Sequence, residues 1–402
     1  MTTCNRKHRF KHMNLSGLLP LLTSLPAYRS FLDDLLAGEP DRAPLGIYGA
    51  ARPYLVAALA QAVNRVTVLL VARSEQARQV YDELQVWLPP TNGLARVQLL
   101  ADPDALPYER IPWARETRQA RMSALTALLR RQGGIAGLAG GSAASESLLI
   151  VTSARGLMQK TLPPRELRLA LKPLRVGQMF DMNESLMRWL GMGYRTDAVV
   201  EEVGLLSRRG GIVDIWPPNM VWPVRIELFG DEIDSLRLFD PATQRTLIEA
   251  RSVREVLIGP ASEALPRYGA GAQDLLDALD VRPLHPPARH ELDGQREQLR
   301  QGTGFKGQEW YIPYLYSQPA SLLDYLPNDA LLLLDDGAEF MTLVTDLEHQ
   351  AAQTQRDLIT GGDLPANPLP PHFSWTELKA PLEARKPLML GHGDLELSLI
   401  HI

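Results

Sequence analysis

Arg208-Arg-Gly-Gly-Ile-Val-Asp-Ile-Trp-Pro-Pro218, then Pro223-Val-Arg-Ile-Glu-Leu-Phe-Gly-Asp-Glu-Ile-Asp-Ser-Leu-Arg-Leu-Phe-Asp240, is the stretch that decides the reading of this chain. Three runs of strand length stand side by side. Gly210 and Gly211 open the first, and Pro217-Pro218 close it, because proline cannot donate to a sheet ladder. In the second run Val224, Ile226 and Leu228 point one way, and Arg225, Glu227 and Phe229 the other. Gly230-Asp231 supplies the tight turn, and Ile233 to Phe239 returns antiparallel. The result is a meander with one packed face and one open face. The aliphatic set can cover a core unaided, which leaves Phe229 on the outer side beside Arg225. An exposed aromatic next to an arginine is the composition of an interface centre. Alternation alone leaves a second reading open, in which Phe229 covers a helix or loop on that face.

The surrounding chain has 402 residues, 45% hydrophobic and 22% charged, with a net charge of −5. That length implies two to four domains. The charge argues against a protein whose main task is gripping a DNA backbone, although a local basic patch stays compatible with it. Cys4 is the single cysteine, so no internal disulfide can form. No apolar run reaches membrane-spanning length, and the basic N-terminus (Arg6, Lys7, Arg9, Lys11) is not followed by a signal-peptide core. A cytoplasmic protein is expected.

Residues 13 to 37 show leucine-rich helical spacing interrupted by Pro20 and Pro26. Residues 45 to 72 read as strand, glycine loop, helix, strand. This is where a phosphate-binding loop would lie, yet Ala51-Arg52-Pro53 stands where Gly-Lys-Ser/Thr would be needed. A βαβ turn that keeps the shape and has lost the chemistry is the expectation. Helices are expected at 74 to 88 and around Met122 to Leu129, a mobile Gly/Ala/Ser loop at Gly133 to Ser147, a buried strand at Leu148 to Val151, and a helix starting at Thr152. Leu167, Leu169 and Leu171 alternate as in a strand, Met182 to Leu190 reads as a helix, and Tyr194 to Leu206 as extended chain. Leu331-Leu-Leu-Leu-Asp-Asp336 reads as a buried strand ending in solvent. The proline-rich residues 361 to 387 read as a linker, and the last dozen residues as the cut start of something longer. His285 and His290 lack the neighbours a metal site needs, and no catalytic constellation stands out.

The meander resembles the signature shared by the bacterial transcription-repair coupling factors (Mfd) and the excision-repair helicase UvrB. Two further stretches are similar to the coupling factors. Leu106-Pro-Tyr-Glu109, with Arg121-Met-Ser-Ala-Leu125 close behind, leaves no room for the long hairpin of UvrB. Gly307-Gln-Glu-Trp-Tyr-Ile-Pro-Tyr-Leu-Tyr316 with Leu323-Asp-Tyr-Leu-Pro327 matches the coupling factors' next segment. The resemblance implies an α/β fold: a degenerate P-loop-like, UvrB domain 1a/1b-like parallel-sheet layer with an inserted small α+β domain that carries the antiparallel meander. The implied division is an N-terminal segment (1–27) packed on the α/β domain, a 1a-like domain (28–166), a UvrA-binding α+β domain (167–257), a 1b-like second half (258–360), and a linker with a truncated end (361–402). It further implies recruitment of UvrA in nucleotide excision repair by a docking module without catalysis, with UvrA-facing residues at Arg209, Arg225 and Phe229. No catalytic, cofactor or metal residue is implied in this chain. ATP and magnesium belong to motor domains that lie beyond it, as do the contacts with RNA polymerase and double-stranded DNA. The competing readings are a UvrB-type ATP-dependent helicase fragment, which would bind ATP and damaged DNA, and an unrelated regulatory α/β protein.

Overall fold

The computed structural model describes residues 14–38, 45–91, 95–133, 147–247 and 253–391. The expected loop at Gly133 to Ser147 and the basic N-terminus with Cys4 lie almost wholly outside these residues. A 3-10 helix (Ser16–Ser24) and α1 (Pro26–Ala37) lead into β1 (Leu45–Gly46), α2 (Arg52–Val63), β2 (Val66–Val71), α3 (Ser74–Trp87), β3 (Val97–Leu100), α4 (Arg115–Arg131) and β4 (Leu148–Ser153). Then come α5 (Ala154–Met158), α6 (Pro164–Ala170), β5 (Lys172–Arg175), α7 (Met182–Leu190), β6 (Arg195–Thr196), β7 (Leu205–Arg209), β8 (Ile212–Ile215), β9 (Val224–Phe229), β10 (Glu232–Leu238) and β11 (Glu255–Ile258). The chain closes with β12 (Leu331–Asp335), the long helix Gly337–Gly361, the helix Trp375–Ala384 and β13 (Leu388–Gly391).

Six strands form a parallel sheet in the order β1-β13-β12-β2-β4-β3. Its inner strands β2, β4 and β12 are near-continuous apolar runs because both faces are covered. Along β2, Val66, Val68 and Leu70 enter one core while Leu69 and Val71 enter the other. Leu332 and Leu334 of β12 likewise join the first, and Leu331 and Leu333 the second. Met122, Leu125, Leu128 and Leu129 of α4 belong to the first core; Leu55, Val56 and Leu59 of α2 and Leu84 of α3 belong to the second. Leu19, Leu22, Tyr28 and Phe31 pack on the α2 side, and the Tyr54 hydroxyl donates to the Leu18 carbonyl (2.7 Å).

The chain leaves this layer at β5 and returns at β11, and the two pair antiparallel. Between them lies the second sheet, in the order β10-β9-β8-β7-β6. It is antiparallel except for the short parallel β6-β7 contact. A buried ion pair fastens the segment after β11 to the first layer. Arg121 on α4 donates through Nε and Nη2 to Glu263 (2.5 and 3.0 Å), each side chain 1% exposed. Its Nη1 donates to the Ala101 carbonyl (2.8 Å), and its guanidinium lies 5.1 Å from the centre of the Trp113 ring.

Four expectations are corrected. The Leu167/Leu169/Leu171 alternation is not a strand: Pro164 starts α6, in which Leu167 and Ala170 are buried while Leu169 stays exposed. Proline in the first turn of a helix loses no bond that the helix would have made. Tyr194 to Leu206 is strand only at its ends, with Val200 and Val203 buried in the loop between. Asp335 does not end in solvent; it pairs with Arg52. The stretch 361 to 387 is not a free linker. His372 bridges to Gln159, the Phe373 N–H donates to the Met158 carbonyl (2.8 Å), and Ser374 with Glu377 forms a capping box on the following helix. That helix delivers β13 into the parallel sheet between the edge strand β1 and β12.

Candidate functional site

The antiparallel sheet has one face in the core. Val213, Ile215, Val224, Ile226, Ile233 and Leu236 are buried there, in the same core as Phe180 and Trp189. Cross-strand partners share a face, so the register lays out the other side residue by residue. One row runs Ser207, Asp214, Arg225, Arg237; the next runs Arg209, Ile212, Glu227, Ser235. At the hairpin end the row is Phe229, Glu232 and Met179, the last supplied by the segment before α7 through a single bridge.

This face is divided. Towards the start of β9 it is roofed: Leu205, Trp216 and Phe239 point outward by alternation and form a small core with Val200 and Val203. Arg225 sits at the edge of that roof. Its Nε and Nη2 donate to both carboxylate oxygens of Asp214 (2.7 and 2.8 Å), and its guanidinium lies 4.9 Å from the Phe239 ring centre. The hydrogen bonds to Asp214, and its charge, hold the guanidinium above the ordinary arginine range. The side chain keeps 21% of its exposure. Its orientation is fixed before any partner arrives, which reduces the entropy lost on binding. Arg209, exposed, donates through Nη2 to the Ala198 carbonyl (2.8 Å).

Towards the hairpin the face is bare. Phe229 is 83% exposed and Met179 70%, with Ile212 also exposed. Around them Glu227 accepts from Ser235 (2.5 Å) and from Arg237 (3.1 Å). The arrangement is an apolar tip framed by oriented, mostly paired charges, the layout of an interface core with a polar rim. Arg209, Arg225 and Phe229 therefore share one face, with Arg225 internally paired and Phe229 open.

Two contributors escaped the sequence reading. Asp214 was signalled by a lone carboxylate inside the apolar run Ile212 to Ile215. Met179 carried no signal. It reaches the face only because its segment docks on β10, with Gly177 N–H donating to the Ile233 carbonyl (2.8 Å), Ile233 N–H to Gln178 (2.9 Å) and Phe180 N–H to Asp231 (2.8 Å).

His285 and Arg121 serve the fold rather than this face. His285 caps the helix Pro286–Arg300 by accepting from the Ala288 N–H (3.1 Å), and it contacts Asp363 (2.7 Å). Arg121 is sealed in the ion pair with Glu263.

One comparison with known proteins falls on this region, and others span most of the chain. A family model described as the UvrB interaction domain matches residues 173–263. The chain is similar to the transcription-repair-coupling factor of Myxococcus xanthus, 30% identical over 350 residues that make up 83% of this chain and 27% of that protein. It is 28% identical to the one from Bacillus subtilis over 381 residues, 90% of this chain and 30% of that protein. The one from Haemophilus influenzae is 29% identical over 260 residues, 65% of this chain and 20% of that protein. The chain thus spans less than a third of the length of these curated relatives.

Proposed function

The chain belongs to the transcription-repair-coupling factor family, and from that premise we propose that it is a non-catalytic docking module whose antiparallel sheet recruits UvrA. Phe229 is the apolar anchor. Arg209 and Arg225 orient carbonyl or acidic groups of UvrA through charge-assisted hydrogen bonds, and Met179 and Ile212 widen the contact. The observation that carries this reading is the 83% exposure of the Phe229 ring on a sheet face whose neighbouring charges are already positioned.

In the same reading the parallel sheet is a nucleotide-binding layer with a dead pocket, UvrB domain 1a/1b-like in shape. Arg52 occupies the place of the phosphate-binding lysine, and it is paired with Asp335, the acid at the end of β12. The pair ties a would-be phosphate ligand to a would-be magnesium ligand. ATP hydrolysis, DNA translocation and RNA polymerase contact then belong to further domains of the parent protein, acting in the cytoplasm on polymerase stalled at damage. Among the described residues no helix is long and apolar enough to cross a membrane.

The test is calorimetric titration of the whole chain with UvrA, compared with Phe229→Ala and Arg209→Ala. Saturable binding that both substitutions weaken supports the surface; equal affinity in all three rejects it. Titration with Mg-ATP is expected to be silent, and micromolar binding would favour the helicase reading.

A further inference from the structure

A recess lies at the far edge of the antiparallel sheet, where β6 and the first turns of α4 approach each other. It has a volume of about 270 Å³, and four cationic side chains line it: Arg115 and Arg118 from α4, Arg195 from β6, and Lys306 from the loop before Gly307. Two carboxylates share it, Glu202 and Glu309.

The cations differ in how they are held. Arg115 binds the neighbouring Glu116 (2.9 Å) and lies 6.0 Å from the Trp216 ring centre. Arg118 has a buried Nε with no hydrogen-bond partner. Among the described residues the side chains of Arg195 and Lys306 form no hydrogen bond or ion pair. A buried guanidinium N–H without an acceptor is unusual, because desolvating a donor without replacing its bond is costly. Three of the four cations at one recess therefore retain unmet donor capacity. Arg118 also lies within the electrostatic reach of Glu309, whose charge it stabilises against burial. Glu309 is 6% exposed and accepts from the Ser262 hydroxyl (2.9 Å), and burial pushes its carboxyl above the ordinary range. Glu202, at an exposed position, is hydrated and screened. The floor is rigid: Gly193 and Gly304 pack so closely that a Cβ on Gly304 would stand 3.0 Å from the Gly193 backbone.

We propose that this recess is a phosphate-binding site, with Arg118 as the inner donor and Arg195 and Lys306 closing over the anion. Guanidinium forks match a tetrahedral oxyanion in geometry as well as charge. The site is separate from the Phe229 face, and the inference does not rest on the docking reading. Its ligand chemistry is the phosphate group, which can come as a free anion or as part of a polynucleotide backbone.

The experiment titrates the whole chain with inorganic pyrophosphate and, separately, with a short blunt DNA duplex, following Trp113 and Trp216 fluorescence and heat. Arg118→Gln, Arg195→Ala and Lys306→Ala are compared with the parent and with Arg356→Ala on the distant long helix. Arg195 and Lys306 make no internal side-chain bonds, so their removal leaves the fold intact, which the melting curve checks. At least one probe is expected to bind saturably. Arg195→Ala and Lys306→Ala each weaken binding by roughly tenfold and lower its salt slope, and Arg356→Ala changes nothing. Duplex binding that falls with the same substitutions assigns the phosphate to a nucleic acid; pyrophosphate binding alone assigns it to a small anion. Absence of saturable binding by either probe, or binding indifferent to Arg195→Ala and Lys306→Ala, overturns the site.

Discussion

Replacing Glu263 by glutamine tests how the segment after β11 is fastened to the parallel layer. The substitution keeps the shape and removes the charge opposite Arg121. Both side chains of the pair are 1% exposed, and Arg121 also donates to the Ala101 carbonyl and stacks on Trp113. Arg121 cannot swing out to water from that position, and a guanidinium does not give up its proton in a protein. The variant therefore leaves a cation buried beside a neutral amide. Removing one partner of such a pair costs about 3–5 kcal/mol, which in a unit of this size lowers the melting temperature by on the order of 10 °C. The pair itself is worth far less than its disruption, because both charges were desolvated to make it. A double variant, Arg121→Met with Glu263→Leu, is accordingly expected to recover most of the loss, short of about 1 kcal/mol for the unmet Ala101 carbonyl. Thermal unfolding followed by circular dichroism and tryptophan fluorescence measures both variants. Limited proteolysis after β11 reports whether the fastening itself has loosened. A Glu263→Gln protein that melts with the parent, or a double variant no better than the single one, would refute this account of the buried charges.

Four further outcomes are expected. Phe229→Ala changes stability by less than about 0.5 kcal/mol because the ring is already in water, yet weakens UvrA binding by about 2 kcal/mol, roughly 30-fold; loss of both together would place Phe229 in the core. Asp214→Asn loosens the Arg225 guanidinium, so UvrA binding falls in calorimetry while Arg225→Ala in the same background adds little further; additive losses would show the two acting separately. Met179→Ala weakens UvrA binding with no change in melting temperature, whereas unaltered affinity removes Met179 from the surface. Glu309→Gln raises the melting temperature near neutral pH and leaves it unchanged in acid. Burial raises the Glu309 carboxyl, so the folded state favours the protonated form; that contribution is present below the unfolded value and is lost as pH rises through the folded one. A melting profile parallel to the parent at every pH would exclude this role.

The local signals were legible where one residue type has one structural use. The apolar runs Val66–Val71, Leu148–Val151 and Leu331–Leu334 read as strands covered on both sides and are buried that way, although the second strand runs on through Thr152 and Ser153, where the sequence alone reads as the start of a helix. Gly230-Asp231 between two alternating runs fixed the β9-β10 hairpin, and the alternation put Phe229 on the face opposite Val224 and Ile226, while its exposure there is a finding of the structure. Spacing failed where two periods coincide: leucines two apart at 167, 169 and 171 fit a strand, but burial at i and i+3 with proline in the first turn made α6. Prolines between 361 and 387 marked chain breaks without revealing that the segment is anchored against Met158 and Gln159.

The sequence by itself determined that the chain has a parallel layer and an antiparallel meander, and that one strand carries Arg225 and Phe229 on its outer side, because side-chain direction along a strand alternates by covalent geometry. Only the tertiary structure decided that Arg225 is locked to Asp214, that Met179 joins Phe229 at the tip, that Arg52 closes on Asp335, and that β13 enters the parallel sheet between β1 and β12. Each of these joins residues on different strands or segments. Which of many chemically equivalent carboxylates, arginines or edge strands becomes the neighbour is set by how the layers pack, and local pattern does not encode it.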